Sequence, residues 1–492
     1  MKLCELLEND EYTCSFDIES IEIQNVTCHT ENIGEATLFV LLKGIKFDTR
    51  KIISYIISKA PVAIVCDEDW EIETSIPLIR VKSARRALAL LCSRFNKIDY
   101  SRTRFIGVTG TNGKTTTATM LYEIMLHAGK NAGFIGTGKI EFMRNRLSEK
   151  NYSMTTPDPE ILYPAIKRMQ SSGCDVIVME VSSHAMVLEK LSPIPFSHSV
   201  FTNLSPEHMD FHSDIEDYYR AKLQLFYQSD VGVFNADDKF SSRAMTDADI
   251  PCKKTSVGVL WNAEAMARDV ILNGFNGSSY IYREKNLIFK VKLSIPGHYN
   301  IYNSMLALRC AISFGIKPYI AKEAINEIKS IDGRFEIIKD DVIVIIDYAH
   351  TENAFENILK SVKSIKNRGQ NIITVFGCGG DRDKYKRPKI ASVAEKYSDQ
   401  IIVTEDNSRS ESTIEIISDI LSGIEDTAKR KVITSRAQAI SHAILSANKN
   451  DIVIVLGKGH ERYSIDKNGY RDFDERIVIK DALEKRRSTT LK

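Results

Sequence analysis

The 492-residue chain has no excess of one charge: 66 lysines and arginines stand against 65 aspartates and glutamates, for a net charge of +1. Such a balance excludes the basic footprint of a protein that grips nucleic acid or an anionic membrane. Long hydrophobic runs are missing too. The longest, such as 342–346 and 452–456, are strand-length and far too short to span a bilayer. Residues 1–12 are polar and acidic, so no signal peptide is expected. Nine cysteines, an odd number without Cys-x-x-Cys spacing, argue against a disulfide framework and against a zinc site. No internal repeat, low-complexity tract or long linker is present. A cytoplasmic protein working on small molecules, not inserted in a membrane and monomeric, is the expectation.

What is present is ordinary folding material, 43% hydrophobic and 27% charged, in a chain too long for one core. Length suggests about three domains. The most informative stretch is Gly107-Val108-Thr109-Gly110-Thr111-Asn112-Gly113-Lys114-Thr115-Thr116. It reads as a phosphate loop that starts at Gly107 and ends in Gly-Lys-Thr, with a strand expected at 104–108 and a helix at 116–128. Glycines let backbone N–H groups close around phosphate at the positive end of a helix. Gly110, Thr111, Asn112, Gly113, Lys114, Thr115 and Thr116 are therefore the expected nucleoside triphosphate contacts. Lys114 would offset the outer phosphate charge and the Thr115 hydroxyl would ligate magnesium.

Segment 1–98 carries strand-like runs at 36–42 and 62–66 and a helix near 84–95, a small α/β unit. Segment 99–332 opens with the phosphate loop and alternates strands, such as 175–180 and 198–203, with helices. A break falls near 330–334, after which strands are expected near 342–347, 371–376, 400–404 and 451–456. The fold class is thus α/β in three domains: a small N-terminal one, a central phosphate-loop domain with a mostly parallel sheet, and a Rossmann-like C-terminal one.

Glu180 ends an apolar strand, where a carboxylate beside a phosphate loop can hold magnesium. His208 lies in a polar run, Asn203-Leu204-Ser205-Pro206-Glu207-His208-Met209-Asp210-Phe211-His212, which suits either a metal ligand or a structural histidine. Lys222 alone reads as a solvated helix lysine, and Thr155-Thr156-Pro157-Asp158 as a turn before a helix. Asn300 and Asn303 read equally as helix caps.

Taken in order, the loop, Met179-Glu180-Val181-Ser182-Ser183-His184, the Thr202–Asp210 run and Ala221-Lys222 resemble the Mur ligases, ATP-dependent amide ligases of peptidoglycan synthesis. Asp347-Tyr348-Ala349-His350-Thr351, Gly380-Asp381-Arg382-Asp383-Lys384, Asp406-Asn407-Ser408-Arg409 and Gly457-Lys458-Gly459-His460-Glu461 resemble the MurE-type branch, which adds the third peptide residue. The resemblance implies ATP and Mg²⁺ as cofactors, with an acyl phosphate formed on a UDP-muramyl dipeptide. It implies Thr115 and Glu180 on one magnesium, and Glu180, His208 and a carbamylated Lys222 on a second. Lys114, Glu180, His208 and Lys222 are then the catalytic set. Asn300, Arg334 and Asp347 would add ATP contacts, while Thr155, Thr156, Ser182 and Lys190 would hold the dipeptide. Arg382, Asp406, Asn407, Arg409, Gly457 and Glu461 would receive the amino acid. Arg409 would grip the distal carboxylate of meso-diaminopimelate and Glu461 its ammonium, which favours that acid over lysine.

Two departures concern the acceptor. Residues 26–32, Val-Thr-Cys-His-Thr-Glu-Asn, lack the Ser-Arg pair the resemblance calls for, and Lys190 stands in place of an arginine. The alternatives are a cyanophycin-type or folylpolyglutamate-type ligase acting on another carboxylate, and a phosphate-loop regulatory module without an amino-acid pocket.

Overall fold

A computed structural model of the chain describes every residue except 9, 15, 45–48, 148–153, 208, 210 and 491–492. Its strands assemble into three sheets and one small two-stranded hairpin. The first sheet has the order Tyr12–Cys14, Leu78–Val81, Ala63–Asp67, Thr37–Val40, Asn25–Thr27. Its neighbours are parallel except at the Tyr12–Cys14 edge. Helix Ala84–Phe95 packs against it, started by Ser83, whose hydroxyl accepts from the Arg86 amide at 3.2 Å.

The second sheet has eleven strands. Seven consecutive neighbours run parallel: Ala265–Leu272, Lys253–Gly258, Ser229–Asn235, Phe196–Phe201, Arg104–Thr109, Val176–Glu180 and Ala132–Gly136. Val176–Glu180 is buried along its whole length, as a parallel strand covered on both faces requires. Ile106, Val108, Val176 and Val178 join one cluster with helices Lys114–His127 and His298–Phe314. Phe105, Ile177 and Met179 join another with helices Pro159–Ser171 and Ile215–Tyr227, and that cluster continues into the N-terminal sheet. Alternate residues of each central strand thus feed opposite cores.

The expected strand–helix alternation fails between 253 and 293. There Ala265–Leu272, Ser278–Glu284 and Leu287–Leu293 form an antiparallel meander. Leu287–Leu293 alternates between more and less exposed positions, the pattern of a sheet with one face toward water. The strand expected at 198–203 runs instead at Phe196–Phe201. Just past its end, the Thr202 and Asn203 side chains both donate to the Asn112 carbonyl, at 2.6 and 3.0 Å.

The third sheet has the order Glu336–Lys339, Ile343–Asp347, Ile452–Leu456, Ile372–Phe376, Gln400–Val403, Arg430–Val432, parallel except at its first pair. All nine cysteines are free thiols. Among the described residues no helix is long and apolar enough to cross a membrane.

Candidate active site

Strand Arg104–Thr109 lies between Val176–Glu180 and Phe196–Phe201, both later in the chain, so the order of the sheet switches beside it, the place where open α/β sheets bind ligands at the strands' carboxyl ends. Gly107 lies within that strand, not in the loop. A Cβ there would come 3.0 Å from Leu225 and Phe196, so its service is close helix packing. The loop glycines are Gly110 and Gly113. Both have positive φ (140° and 83°), and a Cβ would meet Thr202 Oγ1 at 1.9 Å and Asn303 Oδ1 at 2.4 Å respectively. Helix Lys114–His127 starts directly after them, two residues earlier than expected.

Around the loop, Asn203 works on both sides: its carbonyl accepts from the Thr111 amide at 2.8 Å and its Oδ1 from the Asn112 amide at 3.0 Å. Thr116 is buried in the first turn of the helix. Lys114 folds back, donating to the carbonyls of Gly110 at 3.0 Å and Thr111 at 2.7 Å. Lys222 is buried, not solvated, and donates to the same Gly110 carbonyl at 2.9 Å. Its ammonium also lies 4.4 Å from the Tyr218 ring centre. Burial and then the neighbouring Lys114 drive the Lys222 pKa well below the usual lysine range. Lys114 is lowered as well, chiefly by burial, against the pull of Glu207 and Glu180.

Glu180 is fully buried at the strand end. The Thr115 hydroxyl donates to its Oε2 at 2.9 Å, the Thr137 amide to Oε1 at 2.9 Å and the Thr137 hydroxyl to Oε2 at 3.2 Å. The Thr156 hydroxyl donates to the Glu180 carbonyl at 2.9 Å and accepts from the Ser182 amide at 3.1 Å. Thr155 accepts from Thr137 at 3.3 Å, so Thr155, Thr156 and Ser182 converge next to Glu180. Lys190 forms a 2.6 Å ion pair with Asp158 on the same side. His208 lies outside the described residues.

The C-terminal sheet contributes directly. Arg334 donates to the Thr115 hydroxyl at 2.8 Å and covers the Tyr348 ring at 4.5 Å. Asp347 is bonded to backbone of its own sheet. Its two oxygens accept from the Phe335 and Ala349 amides at 2.7 and 2.8 Å, and burial raises its pKa. Asn353 accepts from the Asn112 side chain at 3.1 Å. Asn300 and Asn303 are not caps, since Gly297 starts their helix without a side-chain bond. Asn300 donates to the Pro296 carbonyl at 2.6 Å, and Asn303 donates to Asn300 at 2.9 Å while its Oδ1 lies under Gly113.

A second cluster sits at the carboxyl ends of the C-terminal strands. Arg409 has a positive φ of 53° and donates to the Gly380 carbonyl at 2.7 Å. A Cβ on Gly379 would lie 2.9 Å from Arg409 Nη1 and 4.0 Å from Arg382 Cγ, so both arginines border that glycine. Arg382 itself is exposed. Asn407 donates to Glu461 at 2.8 Å and accepts from Lys458 at 2.7 Å. Gly457 leaves room for Asp406, whose Oδ2 would lie 2.7 Å from a Cβ there.

The lysine of this cluster and two groups of the first site are features sequence reasoning passed over. Lys458 is buried, 3.5 Å from Glu461 and 3.9 Å from Asp406. Glu461 therefore already faces an ammonium of its own chain, and burial still raises its pKa. For Asp406, burial opposes ionisation, but Lys458 and Arg436 outweigh it and hold the carboxyl below its usual range. Near the loop, Glu207 approaches His350 at 3.6 Å. Each belongs to a motif visible in the sequence, but only the fold brings these partners together.

A phosphate loop at a switch point, a buried carboxylate beside it and an arginine supplied by a second nucleotide-type sheet are the parts of a nucleotide-binding α/β protein of several sheets. The Mur ligase middle domain matches residues 108–311, and the Mur ligase, glutamate ligase domain matches residues 333–459. A protein of Clostridioides difficile named UDP-N-acetylmuramoyl-L-alanyl-D-glutamate–2,6-diaminopimelate ligase is 37% identical over 473 residues, covering 95% of this chain and 96% of that protein. One of the same name from Clostridium perfringens is 36% identical and covers 98% of this chain and 100% of that one. A solved structure of a ligase so named has a TM-score of 0.68 at 24% identity, with 99% of each chain covered. The chain belongs to the Mur ligase family and is an ATP-dependent ligase.

Proposed function

We propose that the chain joins a diamino acid, meso-diaminopimelate in preference to L-lysine, to UDP-N-acetylmuramoyl-L-alanyl-D-glutamate in peptidoglycan precursor synthesis, as a cytoplasmic monomer. The observation that carries this reading is Arg409, which donates to the Gly380 and Asn407 carbonyls at 2.7 and 3.4 Å and borders Gly379 together with Arg382. A lysine substrate has no second carboxylate to offer that guanidinium. Residues 1–98 would take the uridine diphosphate end, 99–332 the ATP and the dipeptide, and 333–492 the amino acid.

A carboxylate is a poor electrophile. Transfer of the terminal phosphoryl group of ATP makes it an acyl phosphate, ADP leaves, and the incoming amine displaces phosphate to form the amide. Gly110 to Thr116 would cradle the triphosphate, with Lys114 turned from the loop carbonyls to the phosphates and Arg334 closing from the opposite side. Asn300 and Asn303 brace the loop from beneath, and Asp347 fixes the turn that presents Arg334. Thr155, Thr156, Ser182 and Lys190 would orient the dipeptide carboxylate toward Glu180.

The Thr115 hydroxyl and the Glu180 carboxylate are hard oxygen donors 2.9 Å apart, a set that fits magnesium. Magnesium bound there would offset charge on the phosphoryl oxygens, and a second ion would draw on Glu180, His208 and a carbamylated Lys222. The test is ADP release with ATP and the UDP-muramyl dipeptide, each candidate amino acid being added singly. Stimulation by meso-diaminopimelate above lysine supports the reading. No stimulation by any amino acid removes it.

A further inference from the structure

The spacing of the cysteines gives no zinc pattern, yet the fold gathers a thiol, an imidazole and a carboxylate from segments 132 residues apart. Cys28 and His29 follow strand Asn25–Thr27, at the edge of the N-terminal sheet, and Glu160 lies in the first turn of helix Pro159–Ser171 on the central unit. One donor atom of each, the Cys28 sulfur, a His29 ring nitrogen and a Glu160 oxygen, lie within 4.8 Å of one another. We propose that Cys28, His29 and Glu160 form a binding site for one soft divalent transition-metal ion of the zinc class, stapling the N-terminal sheet to the central one.

The local geometry is organised around the carboxylate. Glu160 Oε1 accepts from the Cys28 amide at 2.6 Å, and Oε2 accepts from the Thr27 hydroxyl at 2.7 Å. The Thr27 oxygen accepts in turn from the His29 amide at 3.0 Å. These bonds fix the turn and the carboxylate while each oxygen keeps a lone pair, the outer support that ligand sets for metals use. Cys28 and Glu160 are half-buried and His29 is exposed. Bonds of about 2.0–2.3 Å to a tetrahedral ion place donors closer together than the observed spread, so the set must contract by about 1 Å. Rotation of the exposed imidazole supplies much of that movement. Three protein ligands leave the fourth position to water or another oxygen.

Thiolate and imidazole donors select zinc or cobalt over magnesium, which separates this site from the oxygen donors at Thr115 and Glu180. On binding, Cys28 loses its thiol proton to solvent and the sulfur–metal bond replaces it.

The experiment is titration of the purified full chain with Co²⁺, read by the near-ultraviolet sulfur-to-cobalt charge-transfer band. The expected result is one equivalent giving the band, displacement of cobalt by Zn²⁺ but not by Mg²⁺, and loss of the band in Cys28→Ser. His29→Ala, a change at an exposed side chain, is expected to weaken binding by about tenfold or more. A band that persists in Cys28→Ser assigns the sulfur to another cysteine and overturns the proposal. So does a wild-type chain that shows no band at millimolar cobalt, or unchanged affinity in His29→Ala.

Discussion

Arg334 crosses from the C-terminal sheet to donate to the Thr115 hydroxyl at 2.8 Å, while the same hydroxyl donates to Glu180 at 2.9 Å. One side chain of the phosphate-loop helix is therefore shared between an arginine from one sheet and the buried carboxylate of another. The Arg334 Nε is buried without a hydrogen-bond partner among the described residues. Arg334→Ala is expected to lower kcat/KM for ATP by about tenfold to a hundredfold, the worth of one hydrogen bond to a charged group (~1.5–3 kcal/mol). Steady-state ADP release measures it. Wild-type kcat/KM in the variant would reduce Arg334 to a structural tie.

Lys222 has the environment that makes a lysine reactive toward carbon dioxide. Its amine is buried beside Lys114, and burial drives its pKa well below the usual lysine range, which favours the neutral amine. The neutral nitrogen attacks the carbon of CO₂, a proton leaves to solvent, and a carbamate anion replaces a cation. With ¹³C-bicarbonate the wild-type chain should show a carbamate resonance that Lys222→Ala lacks, and that variant should lose about a hundredfold or more in kcat. Identical spectra for the two proteins would rule the modification out.

The parts legible in the sequence are those whose physics is local. Continuous apolar runs announced Val176–Glu180 and Ile452–Leu456, because parallel strands are buried on both faces. Gly113-Lys114-Thr115 announced the loop, because only glycine takes a φ of 83° with Asn303 pressed against it. What stayed hidden depends on distant partners. Helical pattern alone reads Lys222 as solvated, whereas the fold buries it on the Gly110 carbonyl, and Lys458 had no visible role until it came within 3.5 Å of Glu461.

Specificity for the amino acid should reside in Arg409 and in what holds it. Arg387 is fully buried, and its guanidinium donates to both Glu411 oxygens at 3.0 Å, to Asp419 at 2.8 Å and to the Gly379 carbonyl at 3.3 Å. This fork pins the 379–381 turn against the loop that carries Arg409. Arg409→Ala is expected to raise KM for meso-diaminopimelate by about ten- to a hundredfold and to narrow its advantage over lysine, with KM for ATP nearly unchanged. Arg387→Lys, which keeps the charge but loses the fork, should move the same KM in the same direction by less. Unaltered amino-acid kinetics in Arg409→Ala would take that residue out of the pocket.

His198 should set part of the acid sensitivity of the fold. It is 3% exposed in strand Phe196–Phe201, and its Nε2 has no hydrogen-bond partner among the described residues. Burial, reinforced by the Arg104 guanidinium, lowers its pKa from 6.5 to about 4. Between those values the unfolded chain binds more protons than the folded one, so stability rises with pH across the window and is lost as pH falls from 6.5 toward 4. Going from pH 7 to pH 5 should therefore cost the wild type about 2 kcal/mol more than His198→Leu, which has no proton to take up. Urea unfolding at the two pH values measures the difference. Equal pH dependence in both proteins would show that His198 is already protonated, or already solvated, in the folded state.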